Sequence, residues 1–242
     1  EGIDIMLAID VSTSMLAEDL KPNRLEAAKD VAAEFINGRP NDNIGITLFA
    51  GETFTQCPLT VDHAVLLDMI HNIKCGLIED GTAVGMGVAN AVTRLKDSKA
   101  KSKVIILLTD GTNNKGDISP LTAAEIAKSF GIRVYTIGVG TNGMAPYPYP
   151  VGNTVQYINM PVEIDEKTLT QIAGTTDGNY FRATSNSKLK EVYEEIDKLE
   201  KTKLNVKEYS KREEDYRWFA LAAFLCVLLE VLLRNSILKK IP

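Results

Sequence analysis

Short apolar runs alternate with amphipathic segments along most of the chain. The runs are rich in β-branched residues and have no polar face, which is typical of strands buried on both sides in a parallel sheet. A separate short segment at 54–59 contains Pro58, which cannot donate a ladder hydrogen bond and is therefore expected in an edge strand. Strands are predicted at residues 3–9, 44–50, 54–59, 104–108, 132–139 and 178–183.

The segments between these strands place apolar residues three and four positions apart, as on one face of a helix. Asn23 and Asp62 can cap two of the helices, Pro120 suits the first turn of another, and Gly131 can end it. Helices are predicted at residues 25–35, 65–70, 83–95, 121–130, 167–173 and 188–199. Strands that alternate with helices indicate a doubly wound α/β fold with a mostly parallel, six-stranded sheet.

Residues 141–164 interrupt this alternation. They contain Pro146, Pro148, Pro150 and Pro161, with tyrosines between them. We interpret the segment as a loop at the end of the sheet where the parallel strands finish. A loop in that place can shape a surface for a partner.

The end of the chain predicts a membrane anchor. A charged linker at 201–215 precedes a stretch at 216–238 that is apolar on all sides and long enough to cross a hydrocarbon core of about 30 Å. Glu230 lies one turn before Arg234, so the two can pair near the membrane interface. The alternative for this stretch is a buried or dimerising helix.

The expected organisation is therefore a globular domain at 1–200, the linker, one transmembrane helix and a short basic tail at 239–242. Glu1 leads almost directly into an apolar strand, and no signal peptide precedes it. We expect further chain upstream of this residue.

Composition narrows the range of functions. The 242 residues are 45% hydrophobic and carry a net charge of −5, which argues against a nucleic-acid surface. The three cysteines and two histidines form no CxxC pair or Cys/His cluster, so a structural zinc site is not expected. Spacing alone leaves it open whether Cys57 and Cys75 form a disulfide.

Candidate metal ligands follow two of the predicted strands. Asp10, Ser12 and Ser14 form a D-x-S-x-S loop directly after the first strand, and Asp110 ends the run at 104–108. Ligands of doubly wound sheets bind beyond the carboxyl ends of the strands, where the strand order reverses. If these two strands are central neighbours, the two carboxylates converge there, and Thr82 can add a hydroxyl from a neighbouring loop.

These five side chains offer hard oxygen donors, which suit Mg²⁺, with Mn²⁺ or Ca²⁺ also possible, and disfavour zinc or copper. Two carboxylates neutralise a divalent cation only in part once hydroxyls complete the donor set. An open coordination position could then accept an exposed Asp or Glu of a partner protein. No catalytic residue is expected.

Asp10, Ser12, Ser14, Thr82 and Asp110, in this order, resemble the complete metal-ion-dependent adhesion site of von Willebrand factor A (VWA) domains. The resemblance covers roughly residues 3–200. It implies a Rossmann-like VWA fold that grips a partner through Mg²⁺.

Further stretches, at 10–29, 48–51 and 79–85, together with the C-terminal span, are similar to BatA-type membrane proteins of bacterial aerotolerance (Bat) operons. This resemblance implies an inner-membrane protein whose VWA domain is periplasmic. It also implies partners among other Bat-type membrane proteins, tetratricopeptide-repeat proteins and a MoxR-type AAA+ ATPase.

Two alternatives remain beside the binding module. A Mg²⁺-dependent phosphoester hydrolase would need a general base, for which Glu79 and Asp80 are the acids close by in the sequence. A membrane scaffold would need no metal. A G-x-G-x-x-G match at 138–143 does not predict dinucleotide binding, because a proline-rich segment follows where that motif requires a helix.

Overall fold

The computed structural model describes residues 2–141, 143–152, 154–210, 221–227, 230, 231 and 233. The chain divides into two compact units, Glu1–Glu200 and Lys201–Pro242. The described strands, β1 to β8, are Asp4–Asp10, Asn43–Phe49, Thr53–Thr60, Lys103–Thr109, Arg133–Val139, Gly143–Val151, Thr154–Val162 and Tyr180–Ala183. The described α-helices, α1 to α6, are Arg24–Asn37, His63–His71, Val84–Leu95, Pro120–Ser129, Glu166–Thr175 and Asn186–Ser210.

Six strands form one sheet in the order β3-β2-β1-β4-β5-β8. Strand β3 runs antiparallel to β2, and the other neighbours are parallel. The predicted α/β fold with a mostly parallel sheet is therefore confirmed. The order reverses between β1 and β4, which pair directly from Asp4↔Lys103 to Ile9↔Leu108. The carboxyl ends of these two strands consequently define the crevice where a ligand is expected.

Helices cover both faces of the sheet, which explains why every residue of β1 is buried. On one face, α3, α4 and α5 pack against inward residues such as Met6, Ile105 and Val134. The helices α1 and α6 meet through Phe35 and Tyr193, whose ring centroids lie 5.0 Å apart. Burial of both faces is the physical reason that these strands read as continuous apolar runs.

The predicted helix ends are confirmed where a specific side chain sets them. The side chain of Asn23 accepts a hydrogen bond from the Glu26 amide at 2.8 Å, and that of Asp62 accepts one from the Val65 amide at 3.2 Å. Pro120 is the first residue of α4. Gly131 follows that helix with a φ of +65°, a conformation that favours glycine.

The prediction of a loop at 141–164 is wrong, because most of this segment forms a β-hairpin. Strands β6 and β7 pair antiparallel as a separate two-stranded sheet. Pro146 and Pro148 pair with Asn159 and Tyr157. Alternate prolines fit a two-stranded ribbon when their missing N–H groups fall on the side of the strand away from its partner.

The membrane span predicted at 216–238 lies mostly outside the described residues. Within it, residues 221–227 are helical, and residues 230, 231 and 233 are also described. Across the part of the chain that the structure describes, no helix combines the length and apolar character needed to cross a bilayer. Helix α6 continues to Ser210, so the first part of the predicted linker is helical.

Candidate metal centre

The site begins where β1 ends at Asp10. The next residues turn sharply: the Ser12 amide donates to Asp10 Oδ1 at 2.9 Å, and residues Thr13–Leu16 form a 3-10 turn. Short polar residues suit this geometry because their side chains can bond to nearby backbone groups. The turn brings the hydroxyls of Ser12 and Ser14 over the end of β4, where Asp110 follows Thr109.

Direct contacts link the predicted ligands. Ser12 Oγ and Ser14 Oγ lie 2.9 Å apart, and Ser14 Oγ donates to Asp110 Oδ1 at 2.7 Å. Thr82 belongs to the neighbouring loop, and its Oγ1 lies so close to Gly111 that a Cβ there would approach it to 3.2 Å. The structure therefore gathers the oxygen-bearing side chains that the sequence singled out.

The five side chains lie at two depths. Ser14, Thr82 and Asp110 line an open cleft of about 470 Å³. Asp10, which is fully buried, and Ser12 are not among the residues that line it, although Ser12, Thr82 and Asp110 are all at most 4% exposed. The site thus consists of a sealed base and a face that is open to an incoming group.

Asp10 is a buried carboxyl group with little to balance its charge. It accepts hydrogen bonds from the Ser12 amide and from Thr109 Oγ1, the latter at 2.6 Å. Among the described residues, none of the ion pairs at this site reaches it. Burial, and then the proximity of Asp110, raise the pKa of Asp10 from 3.8 to about 7. The ionised form of Asp10 is therefore costly unless a cation is present.

Asp110 is balanced by a buried arginine. Arg24 Nη1 donates to Asp110 Oδ2 at 2.7 Å, while Oδ1 receives the Ser14 hydroxyl. The same guanidinium binds both carboxylate oxygens of Asp19, at 2.7 and 2.6 Å. Burial raises the pKa of Asp110, and Arg24 opposes that rise. Arg24 thus fixes one Asp110 oxygen and leaves the other on the cleft side.

The Arg24–Asp19 pair also reaches the far side of the site. Burial alone would raise the pKa of Asp19, but hydrogen bonds from Arg24 and Thr141 outweigh it and lower the pKa to about 2. The Thr141 amide donates to Asp19 Oδ2 at 2.7 Å. Gly140, with a φ of +124°, leaves room for the guanidinium, since a Cβ there would lie 2.6 Å from Arg24 Cζ. The buried guanidinium of Arg24, together with its partner Asp19, therefore links α1, the end of β4 and the segment that leads into the hairpin.

Sequence reasoning missed three residues of this network: Thr109, Asp19 and Arg24. Arg24 had a detectable signal, because it shares a helix face with Ala28, Val31 and Phe35, and a charge on an apolar face needs a buried partner. Which acid that partner would be depends on tertiary contacts that no local pattern encodes.

The donor chemistry fits a divalent cation that prefers oxygen. One guanidinium serves two of the three buried or nearly buried carboxylates, which leaves Asp10 in need of positive charge. Within the described residues, no group of three or more His, Cys, Asp or Glu side chains is suited to a metal. The hydroxyls of Ser12, Ser14 and Thr82 can supply further oxygen donors beside the two carboxylates.

The cysteines do not form a disulfide. Cys57 is free and buried on β3, and Cys75 is free and partly buried. Cys75 Sγ donates to the Ser12 carbonyl at 3.4 Å. Burial, followed by the charges of Asp10 and Asp110, raises the pKa of this thiol to about 12, so it remains protonated beside the site.

Comparison with known proteins gives the family. The model of the von Willebrand factor type A domain matches residues 4–195. BatB from Bacteroides thetaiotaomicron is a solved structure with 34% identity and a TM-score of 0.72 over 83% of this chain and 100% of that one. An aerotolerance-related membrane protein from Bacteroides fragilis also has 34% identity, with a TM-score of 0.70 over 81% of this chain and 100% of that one.

More distant matches extend the comparison. Proximal thread matrix protein 1 from the mussel byssus, solved with zinc in its MIDAS motif, is 25% identical with a TM-score of 0.65 over 82% of this chain and 45% of that one. A "UPF0353 protein" of Mycolicibacterium paratuberculosis is 31% identical over 78% of this chain, which spans 58% of that protein. An uncharacterised Borreliella burgdorferi protein is 27% identical over 99% of this chain, which spans 71% of that protein.

Proposed function

Because this chain belongs to the von Willebrand factor type A domain family, we propose that it is a membrane-anchored module that binds partner proteins in a Mg²⁺-dependent manner. Asp10, Ser12, Ser14, Thr82 and Asp110 are the residues that would hold the ion. When bound, the ion supplies an electrophilic coordination position that an acidic side chain of a partner can fill. The chain's own residues hold the donors in place and keep water from the base of the site.

One observation carries this proposal: two buried carboxylates and three hydroxyls meet at the carboxyl ends of β1 and β4, and Asp10 has no cationic partner among the described residues. Removing a carboxylate from water without a partner is costly, so such a site favours occupation by a cation. The face lined by Ser14, Thr82 and Asp110 leaves room for a ligand from outside.

The choice of Mg²⁺ rests on the all-oxygen donor set. The mussel protein shows that a MIDAS motif in a related fold can hold zinc. Mn²⁺ and Ca²⁺ share the preference of Mg²⁺ for oxygen. Competition between these ions and Zn²⁺ at the same site would decide which one this donor set prefers.

The proposed biological setting is that of the Bat proteins. Two of the similar solved structures are described as BatB and as an aerotolerance-related membrane protein. We propose that the chain lies in a bacterial inner membrane with its VWA domain in the periplasm, as its resemblance to the Bat family implies. We expect its partners among other Bat-type membrane proteins, tetratricopeptide-repeat proteins and a MoxR-type ATPase.

The structure gives the hydrolase alternative little support, because both candidate bases are engaged. Asp80 accepts hydrogen bonds from the Thr13 amide at 3.0 Å and from its hydroxyl at 2.8 Å. Glu79 pairs with Lys115 at 2.5 Å. Either carboxylate would have to exchange these contacts to accept the proton of a nucleophilic water.

The test is capture of partners from native membranes with the whole chain as bait. We expect partners to bind in Mg²⁺ and to elute with EDTA, because the acidic side chain loses its anchor. Asp10→Ala bait should capture none of them, while Asp68→Ala, which removes an exposed acid on α2, should behave as the wild type. Partners that remain bound in EDTA, and that Asp10→Ala captures equally well, would contradict the proposal and favour a metal-independent scaffold.

A further inference from the structure

The hairpin of β6 and β7 forms one wall of the candidate metal cleft. Ala145 pairs with Met160 and Tyr147 pairs with Ile158, so these four side chains share one face of the ribbon. That face lines the same cleft of about 470 Å³ as Ser14, Thr82 and Asp110. The volume lies within the range of about 300–1,000 Å³ that is typical of ligand pockets.

The hairpin is fixed to the metal loop rather than standing free of it. The Glu18 amide, two residues after the end of the 3-10 turn, donates to the Pro146 carbonyl at 2.8 Å. Ala145 is 1% exposed, so the base of the ribbon is packed. These contacts hold the hairpin in a defined position beside the oxygen-bearing side chains, as a binding surface that determines specificity requires.

Other apolar side chains on the cleft-facing side of the ribbon are partly exposed, including Met160, which pairs with Ala145. Tyr149 is 52% exposed, Ile158 41% and Met160 43%. Apolar side chains that adjoin a polar site in a concave surface are typical of a binding surface. The outer edge of β6 does not suit the addition of a partner strand, because Pro146 and Pro148 have no N–H and the Pro146 carbonyl is already used.

Resting on the proposed function, we propose that this cleft recognises a protein segment in which an acidic residue is flanked by a bulky apolar residue. The carboxylate is directed to the oxygen-lined side of the cleft, and the apolar side chain packs against Tyr147, Ile158 and Met160. The metal site thus requires an acidic residue, and the hairpin selects those segments in which a bulky apolar residue flanks that acid. The specificity of the module lies in the ribbon rather than in the five ligand residues.

Charge distinguishes this partner from a membrane surface. Anionic lipid headgroups are bound by exposed Lys and Arg. The cleft is lined instead by Asp110 and Glu163, and Arg24, which also lines it, is 1% exposed and paired with two aspartates. A segment that brings one carboxylate and an apolar side chain matches both walls.

The test uses capped pentapeptides as probes of the whole chain in saturating Mg²⁺, followed by methyl NMR. We expect Gly-Leu-Asp-Leu-Gly to bind about tenfold more tightly than Gly-Ser-Asp-Ser-Gly, because leucine buries apolar area against the hairpin. Gly-Leu-Asn-Leu-Gly, which lacks the carboxylate, should not bind. Removal of Mg²⁺ should abolish binding of both aspartate peptides.

The decisive variant combines Ile158→Ser with Met160→Ser on the cleft face. It should reduce the preference for the leucine peptide to less than about twofold, while the rise in Tm caused by Mg²⁺ is retained. The control combines Met144→Ser with Val155→Ser, which are exposed apolar residues on the opposite face, and should keep the preference.

Three outcomes would overturn the inference: equal binding of the leucine and serine peptides, no binding of the leucine peptide, or equal loss of preference in the control. Binding to vesicles of phosphatidylglycerol and phosphatidylethanolamine that Ile158→Ser/Met160→Ser abolishes would assign the hairpin to a membrane surface instead. Metal-dependent binding without an apolar preference contradicts this inference alone, whereas peptide binding that persists in EDTA contradicts the proposed function.

Discussion

The two buried aspartates of the site differ in how their negative charge is balanced. Arg24 neutralises Asp110 from below and is itself held by Asp19, so one carboxylate of the pair is already balanced. Asp10 receives hydrogen bonds but no counter-charge from the described residues. Ionised Asp10 is destabilised by burial and by the nearby charge of Asp110. A cation that binds beside Asp10 would therefore stabilise its ionised form.

Asp10→Asn should make the metal-free protein more stable than the wild type at pH 8. Folded Asp10 has a pKa of about 7 against 3.8 in the unfolded chain, so the folded state binds more protons between these values. The stability of the wild type therefore falls as pH rises through that window. Asparagine removes the effect, and we expect the variant to have the higher Tm at pH 8, by roughly 2–4 °C for each kcal/mol relieved.

Thermal unfolding at pH 5 and pH 8, with and without Mg²⁺, measures this effect. Mg²⁺ should raise the Tm of the wild type at pH 8 and do so less at pH 5, where it must displace a proton from Asp10. Asp10→Asn should show little response to Mg²⁺ at either pH. A variant that is less stable than the metal-free wild type at pH 8 would contradict the electrostatic account.

Asp19 gives the opposite dependence on pH. Its pKa of about 2 lies below the unfolded value of 3.8, so it stabilises the fold above pH 4 and this contribution is lost as pH falls towards 2. Asp19→Asn should therefore cost about 1–3 kcal/mol at neutral pH, since Arg24 loses a charged partner in a buried place. Urea unfolding at pH 7 and pH 2.5 should show the gap between wild type and variant closing in acid.

Glu34→Gln serves as the control for that experiment. Glu34 pairs with Lys190 on the surface, where both side chains are half exposed, and such a pair contributes about 0–1 kcal/mol. An Asp19→Asn effect no larger than that of Glu34→Gln would show that the Arg24 network does not support the fold.

At the scale of elements, sequence patterns located the sheet and its helices well and the hairpin badly. The strands β1, β2, β4 and β5 are buried on both faces, and burial is what an apolar run reports. The hairpin packs little of its surface, and its alternate prolines contradict the usual composition of a strand. The D-x-S-x-S loop could be read because its donors are adjacent in the chain, whereas the Arg24 network joins segments far apart in sequence.

The approach of α3 to the loop before α4 supplies a prediction about packing. A Cβ on Gly85 would lie 2.0 Å from the Ile118 carbonyl oxygen, so Gly85→Ala must displace backbone next to the loop that carries Asp110. We expect a loss of about 1–3 kcal/mol, as for other overpacked sites. Gly174→Ala is the control, since nothing lies within 4 Å of a Cβ at that position in α5.

The Gly174→Ala control should gain up to about 1 kcal/mol in the free energy of unfolding, because alanine has a higher helix propensity than glycine. Denaturant unfolding of the two variants gives opposite signs if the packing is as described. A Gly85→Ala protein as stable as the wild type would mean that α3 and the 118–119 segment are not in close contact.

At the scale of the whole chain, the globular unit carries the candidate binding site, and the C-terminal segment carries the predicted membrane anchor. Residues 1–200 contain the sheet, the cleft and the hairpin. The apolar stretch at 216–238 predicts the anchor from composition, and its described residues, such as Leu221, Phe224 and Val227, are exposed apolar side chains. Anchoring would confine the binding site to a membrane surface and restrict the partners that it can meet.

Alkaline carbonate extraction of bacterial membranes tests the anchor. We expect the whole chain to remain in the membrane pellet, because an apolar span is not released by high pH. A chain that ends at Glu200 should appear in the supernatant. Complete extraction of the whole chain by carbonate would contradict the predicted span while leaving the metal site untouched.

Binding of Mn²⁺ to the purified chain, followed by the electron paramagnetic resonance signal of the free ion, tests the central claim most directly. The account predicts one saturable site per chain that Mg²⁺ displaces. That site should be lost in Asp10→Ala and Asp110→Ala and kept in Asp68→Ala. The absence of saturable binding, or a site that survives replacement of both aspartates, would contradict the claim that these side chains hold a divalent cation.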